Sequence, residues 1–157
     1  MGVVSFAQES ESPVAPGRLF KALILDSHNL CPKLMPQSIK SIDIIQGDGG
    51  VGTIKQTNFT RGIHIKHRID EVDNEKCRCK FTLIEGDVMG EKLRSAAYEI
   101  EFMDDGEGGS ICRMLSEYET VGDVVFRDED IEEGKEKATE LFKPVEAFLL
   151  ANPDAYA

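Results

Sequence analysis

One apolar stripe near the C-terminal end constrains this chain more than any other feature. Between about Glu129 and Ala151, the residues Ile131, Gly134, Ala138, Leu141, Phe142, Val145, Phe148 and Leu149 recur every three or four positions. That spacing places them along one face of a helix. A stripe of this length must be covered by other apolar surface, so the rest of the chain has to supply a matching face. Pro144 lies inside the pattern and is expected to bend the helix. Asp128 or Asp130 is expected to cap its start, and Asn152-Pro153 to end it.

The matching face has to come from strands. After Ser38 six runs are rich in β-formers: SIKSIDIIQ, TIKQTNF, IHIKHRIDEVD, KCRCKFTLIEG, LRSAAYEIEFM and SICRMLSEYET. Short connectors such as TRG, DNE and DDGEGG separate them, the signature of an antiparallel meander. Alternation puts Cys77, Cys79, Phe81 and Leu83 on one face, as it does Ala96, Tyr98, Ile100 and Phe102. Cys112, Met114, Ser116 and Tyr118 form a third such set. Residues 3–11 read as a further, first strand with Val4 and Phe6 on one face. From Pro16, helical spacing of Leu19, Phe20, Leu23 and Ile24 predicts a short helix, with Asp26 or Ser27 ending it and capping a second that Pro32 and Pro36 confine. The expectation is an α+β chain forming one domain, residues 1–157, with a sheet wrapped over the last helix.

The stretch QGDGGVGTIKQTNF, residues 46–59, satisfies G-x-G-x-x-G from Gly47 to Gly52. A dinucleotide turn requires a helix directly behind it, because the helix N-terminus holds the phosphate. Here Thr53 to Phe59 reads as a strand, and Thr53-Ile54 stands where a Walker loop has Lys-Ser/Thr. The glycines are therefore expected to make a hairpin connection. A formal charge of −11, with no basic block to offset it, makes nucleic acid a poor partner. The acidic run from Arg127 to Glu136 reads as a solvated helix start. No apolar run approaches the ~20 residues of a membrane span, and Met1 to Ser10 lacks the features of a signal peptide. A cytoplasmic protein with reduced cysteines is expected.

Segments along the whole chain resemble the plant pathogenesis-related class 10 family, the group of the major birch pollen allergen: the MGV start, LFKALILDSHNLCPKLMPQSI, GDGGVGTIK, IDEVD, IEGD and VEAFLLANPDAYA occur in the family's order. The resemblance implies a helix-grip fold, in which a seven-stranded antiparallel sheet wraps a long C-terminal helix and two short helices follow the first strand. It also implies an internal cavity for small hydrophobic plant metabolites or hormones, such as cytokinins, flavonoids and steroids, in a defence- or stress-related carrier or reservoir. No cofactor and no metal site is implied, and a monomer is expected.

Counting by twos from Phe59 puts Thr57, Lys55 and Thr53 on the inner face, and Ile63, Ile65, His67 and Ile69 on that of the following strand. Lys55 reads either as a packed stem with its ammonium at an opening, or as a cation that orients a ligand oxygen. His67 reads as a core histidine or a ligand contact. With the resemblance, the expected ligand-binding set is Leu23, His28, Ile39, Lys55, Phe59, Ile65, His67, Cys79, Phe81, Leu83, Ala96, Tyr98, Ile100, Cys112, Met114, Glu133, Lys137 and Leu141. His28 falls at the corner where the family has its cavity mouth. Glu133 and Lys137 are spaced for an i,i+4 pair. Cys79 stands where the family commonly has a hydroxyl-bearing aromatic, Lys137 where it has a smaller or apolar residue, and the hairpin NFTRGIHI is shorter than usual.

Two other functions remain open on the sequence. Ribonuclease activity, attributed to the family, requires a base, an acid and a cation around one phosphate. Lys55 and Glu146 match the residues proposed for it, but Arg94 and Phe148 replace an acid and a tyrosine, and Glu146 is expected to contact the glycine-rich loop instead. A cavity enzyme using Lys55, Lys137, Tyr98 and Glu133 is the third reading.

Overall fold

From strand β1 (Val3–Ser12) the chain enters two short helices, α1 (Pro16–Phe20) and α2 (Ser27–Leu34), joined by a π-helical turn at Lys21–Leu25. Strands β2 (Ile39–Gln46), β3 (Ile54–Phe59), β4 (His64–Asp73), β5 (Arg78–Glu85), β6 (Leu93–Asp104) and β7 (Ser110–Thr120) follow, and helix α3 (Asp128–Ala151) closes the order. The computed structural model describes residues 2–86, 93–124 and 127–157, without the side chains of residues 131 and 133–138.

All seven strands join one antiparallel sheet in the order β1-β7-β6-β5-β4-β3-β2. Every pair but β7–β1 joins sequence neighbours, as a meander requires, and β1 adds to β7 as an edge. The register slips at Ile39/Ser41, Ile44/Gln46, Lys66/His67, Ile69/Glu71 and Leu93/Ser95. Each extra residue bends its strand and increases the local twist.

The glycine-rich stretch is the β2–β3 connection. Gly47 has φ +94°, and a Cβ there would lie 2.6 Å from Thr53 Oγ1. Three of the loop's N–H groups are committed within the protein: Gly49 donates to Thr53 Oγ1 at 2.8 Å, Gly50 to Asp48 Oδ1 at 3.0 Å and Gly52 to the Ile69 carbonyl at 2.8 Å. A strand follows, with no helix to receive a phosphate.

Helix α3 contributes Val145 and Leu149, both fully buried, to a core that also takes Leu19 and Phe20 from α1. Phe20 meets Phe102 of β6 edge-on, with ring centroids 6.5 Å apart. The end of α3 is fixed by Arg18, whose guanidinium donates to the carbonyls of Leu149, Asn152 and Ala155 at 2.9, 2.7 and 3.0 Å. A cation there satisfies orphan carbonyls and complements the negative end of the helix dipole. At the start of α3 the N-cap is Arg127, not Asp128 or Asp130. Asp130 reaches back instead, accepting the Arg127 N–H at 2.9 Å.

Candidate functional site

Between sheet, short helices and α3 lies a cavity of about 360 Å³. That volume falls within the range of small-molecule pockets, roughly 300–1,000 Å³. Its wall is mostly apolar because the inward positions of the strands are apolar: Ile39 and Ile42 on β2, Phe59 on β3, Ile65 and Ile69 on β4, Phe81 on β5, Ile100 on β6 and Met114 on β7. Leu23 and Ile24 come from the π-helical turn, and Leu141 and Phe142 from α3. Among the lining residues Ser10, Glu11, Thr139, Leu141 and Lys143 are exposed, so the cavity opens between the second half of β1 and the middle of α3.

Lys55 is the unusual wall residue. It is 3% exposed, yet its ammonium is held: Nζ donates to the Ile24 carbonyl at 2.9 Å and to Ser27 Oγ at 3.2 Å. The stem packs on the inner face and the head is bound at the junction of the π turn with α2. Burial lowers the Lys55 pKa, against the smaller opposing influence of Cys79, Cys31 and Asp26. His67 pairs directly across from Lys55 in the β3–β4 ladder. Burial, and then the Lys55 charge, bring its pKa down to about 4, so the imidazole is neutral at pH 7. Its ring lies against Phe81, with centroids 5.5 Å apart.

Three thiols share this wall: Cys31 of α2, Cys79 of β5 and Cys112 of β7, all free and buried. Burial raises each to about 11. Cys31 was not anticipated as a wall residue. Neither were Gln8 and Ser10, although the period-2 count from Val4 and Phe6 leads directly to them.

Of the residues expected around a ligand, Leu23, Ile39, Lys55, Phe59, Ile65, His67, Cys79, Phe81, Ile100, Cys112, Met114 and Leu141 are brought together on the wall. Leu83, Ala96 and Tyr98 are not. They belong to a separate cluster with Phe6, Leu93 and Tyr118. Tyr98 stacks on Phe81 at 5.1 Å and meets Tyr118 edge-on at 5.8 Å. The alternation was read correctly there, but the inward side of a long strand serves packing at one end and cavity at the other. His28 sits on α2 off the cavity wall; its Nδ1 is buried without a hydrogen bond, and Nε2 faces the Asn29 amide at 3.4 Å. The side chains of Glu133 and Lys137 lie outside the described residues. The contact found for the Glu146 carboxylate is Lys143 Nζ, 3.7 Å away one turn earlier, and among the described residues no hydrogen bond joins it to the glycine-rich loop. Among the described residues, no group of three or more His, Cys, Asp or Glu could hold a metal ion. No described helix is long and apolar enough to cross a membrane.

A curved antiparallel sheet closed by a long helix over an apolar cavity defines a helix-grip protein with a small-molecule pocket. The chain belongs to the Pathogenesis-related protein Bet v 1 family, whose sequence profile it matches over residues 1–152. It is 51% identical to pathogenesis-related protein STH-21 of Solanum tuberosum, with 100% of both chains covered. Identity is 47% to the major allergen Pru ar 1 of Prunus armeniaca, over 99% of each. Among solved structures, that of Ara h 8.0201 superposes with a TM-score of 0.88 at 34% identity, covering 96% of this chain and 100% of that one. Norcoclaurine synthase from Thalictrum flavum shares the fold, with a TM-score of 0.74 at 21% identity over 96% of this chain and 88% of that one. The resemblance read from the sequence, and the fold it implied, are thereby borne out.

Proposed function

We propose that this protein is a defence- or stress-related carrier or reservoir that binds a small hydrophobic plant metabolite or hormone inside the cavity, as a cytoplasmic monomer. The observation that carries the reading is the mostly apolar wall of the cavity around the held Lys55 ammonium. Its volume suits a flat ring system such as a cytokinin, flavonoid or steroid fragment. Burying about 200 Å² of apolar ligand surface contributes about 5 kcal/mol, equivalent to a dissociation constant of about 0.2 mM before association costs, so weak binding of modest selectivity is expected unless the covered cavity wall and polar contacts add to it. Pathogenesis-related names among the relatives support the defence context. The test is titration with a polarity-sensitive dye, followed by displacement with cytokinins, flavonoids and steroids. Saturable, displaceable binding is expected, and its absence rules the carrier out.

The nuclease reading draws no comparable support. Lys55 is committed to Ile24 and Ser27, Glu146 lies by Lys143, and Arg94 faces Glu119 at 3.6 Å, so each has a separate partner and no shared phosphate position emerges.

A further inference from the structure

Three of the four cysteines stand on the cavity wall, contributed by three different elements. Small size and apolar character explain why a buried wall tolerates thiols. They do not explain the neighbour of two of them. The Lys55 charge acts on both Cys31 and Cys79, opposing the effect of burial, while no such influence reaches Cys112. Of the two, Cys79 stands with Lys55 on the sheet side of the cavity, whereas Cys31 comes from α2.

An ammonium has three N–H bonds. Lys55 spends two, on Ile24 and Ser27, and among the described residues the third has no acceptor. The cavity therefore offers a thiol and a cationic donor with one unpaired N–H on one apolar wall. A molecule that needs both is an apolar compound with a carbonyl conjugated to a carbon–carbon double bond: the oxygen accepts from the cation while the β-carbon meets sulfur.

We propose that the cavity takes apolar α,β-unsaturated ketones and holds them as thioethers on Cys79, with Lys55 binding the carbonyl oxygen. The inference rests on the cavity being a ligand site. In the step, the Sγ–H bond breaks and an Sγ–C bond forms at the β-carbon. The π pair of the double bond moves towards oxygen as an enolate, which the ammonium stabilises where charge develops. One proton returns to the α-carbon, leaving a saturated ketone. Nothing is oxidised or reduced, and no second substrate is consumed. Burial keeps little of the thiol ionised and so opposes attack. Confinement beside the electrophile favours it, because effective molarities of about 10⁵ M or more accompany well-oriented partners.

Cys77 supplies an internal control: it is half-buried in the turn before β5 and away from the cavity wall. The test incubates the full reduced chain with benzylideneacetone, followed by intact-mass measurement and peptide mapping. The expected result is a gain of one whole probe mass, without loss of water, mapped to Cys79 and slowed by excess benzylacetone, the saturated analogue that can occupy the cavity but not react. Cys79→Ser should slow the addition about tenfold or more, and Cys79→Ala should do the same, with dye affinity measured on each variant so that loss of the sulfur is told apart from loss of the cavity. Addition confined to Cys77, or at an unchanged rate in both variants, overturns the proposal. Dye binding distinguishes the two levels: if dye and benzylacetone compete but no adduct forms on Cys79, only the covalent step is wrong; if the dye does not bind at all, the carrier reading falls with it.

Discussion

Lys55 Nζ donates to the carbonyl of Ile24 across 2.9 Å, tying a strand in the middle of the cavity wall to the π-helical turn that borders it. The turn ends with Asp26 N–H donating five residues back, to the Lys21 carbonyl, at 2.8 Å. Carbonyls near such an end lack partners within the helix, and the ammonium provides one to Ile24. That arrangement is costly, because burial disfavours the charged form. Replacing buried ion pairs by apolar residues of similar volume is often neutral or stabilising, and the same desolvation cost weighs on this single ammonium, against the loss of its two hydrogen bonds. Lys55→Met should therefore melt at or above the wild-type temperature near pH 7. Because the folded-state pKa of Lys55 lies below its unfolded value of 10.5, the unfolded chain binds more protons between the two, and wild-type stability from this group rises with pH across that window. Paired melting curves should converge as pH rises towards 10.5. A variant less stable by the same margin at every pH would show that the hydrogen bonds outweigh the desolvation.

His67 has the same sign in a more acidic window. Its folded-state pKa of about 4 lies below the ordinary 6.5, so the unfolded chain takes up the proton first as pH falls. The stability contributed by the neutral ring is complete above 6.5 and declines between 6.5 and about 4. The gap corresponds to about 3 kcal/mol. Denaturant titrations should show that decline in the wild type and a shallower one in His67→Leu. Equal slopes would mean that the imidazole is solvated more freely than its place on the wall implies.

The fold was legible from the chain because both of its periods are strong. The α3 stripe fixed the helix to within one residue at its start, Asp128 against the expected Glu129, and the alternating runs became β2 to β7. The inner faces of β3 and β4 were legible for the same reason, since Lys55 and His67 follow from counting by twos. What period alone could not show is where packing ends and cavity begins along one face. Ala96, Tyr98 and Ile100 share a side of β6, but only Ile100 lines the cavity, because Tyr118 and Phe6 fill the space above the other two. Contacts between distant segments were equally hidden: nothing near Asp26 signals Tyr156, whereas the Lys143–Glu146 pair has an i,i+3 spacing that the sequence does show.

The division of β6 can be tested with two substitutions. Ala96 is fully buried in the Tyr118 cluster, and a larger side chain there must displace its neighbours. Ala96→Leu should destabilise by about 1–3 kcal/mol and leave dye affinity per folded molecule unchanged. Cys112→Phe instead projects into open volume. It should keep or raise the melting temperature while weakening dye binding, as cavity filling does at a ligand site. Fluorescence titration beside calorimetry on both variants checks this, and a loss of affinity in Ala96→Leu alone would place the site at the wrong end of the sheet.

Tyr156 and Asp26, separated by most of the chain, are joined by a hydrogen bond of 2.5 Å from the tyrosine hydroxyl to Asp26 Oδ2. Tyr156 adopts φ 59°, a left-handed conformation that a bulky side chain holds only when its contacts compensate. Asp26 is the N-cap of α2: its carbonyl accepts the N–H groups of Asn29 and Leu30 at 3.1 and 3.0 Å, and its Oδ1 takes the Asn29 amide at 2.7 Å. Burial resists ionisation of this carboxyl, but the bonds from Tyr156 and Asn29, with the nearby His28 and Lys33, outweigh it and lower the pKa. The sign follows: stability from Asp26 is present above its unfolded value of 3.8 and is lost as pH falls through the lower folded one. Tyr156→Phe removes one charge-assisted bond, and with the pair part-exposed the expected loss is about 1 kcal/mol at neutral pH. Below the folded pKa the two proteins should converge, since a protonated Asp26 no longer favours the hydroxyl. Hydrogen exchange should show the corresponding change in α2 and the π-helical turn, whose Ile24 and Ser27 hold Lys55. If the loss appears only as fraying after Asn152, the bond secures the terminal segment without reaching the cavity wall.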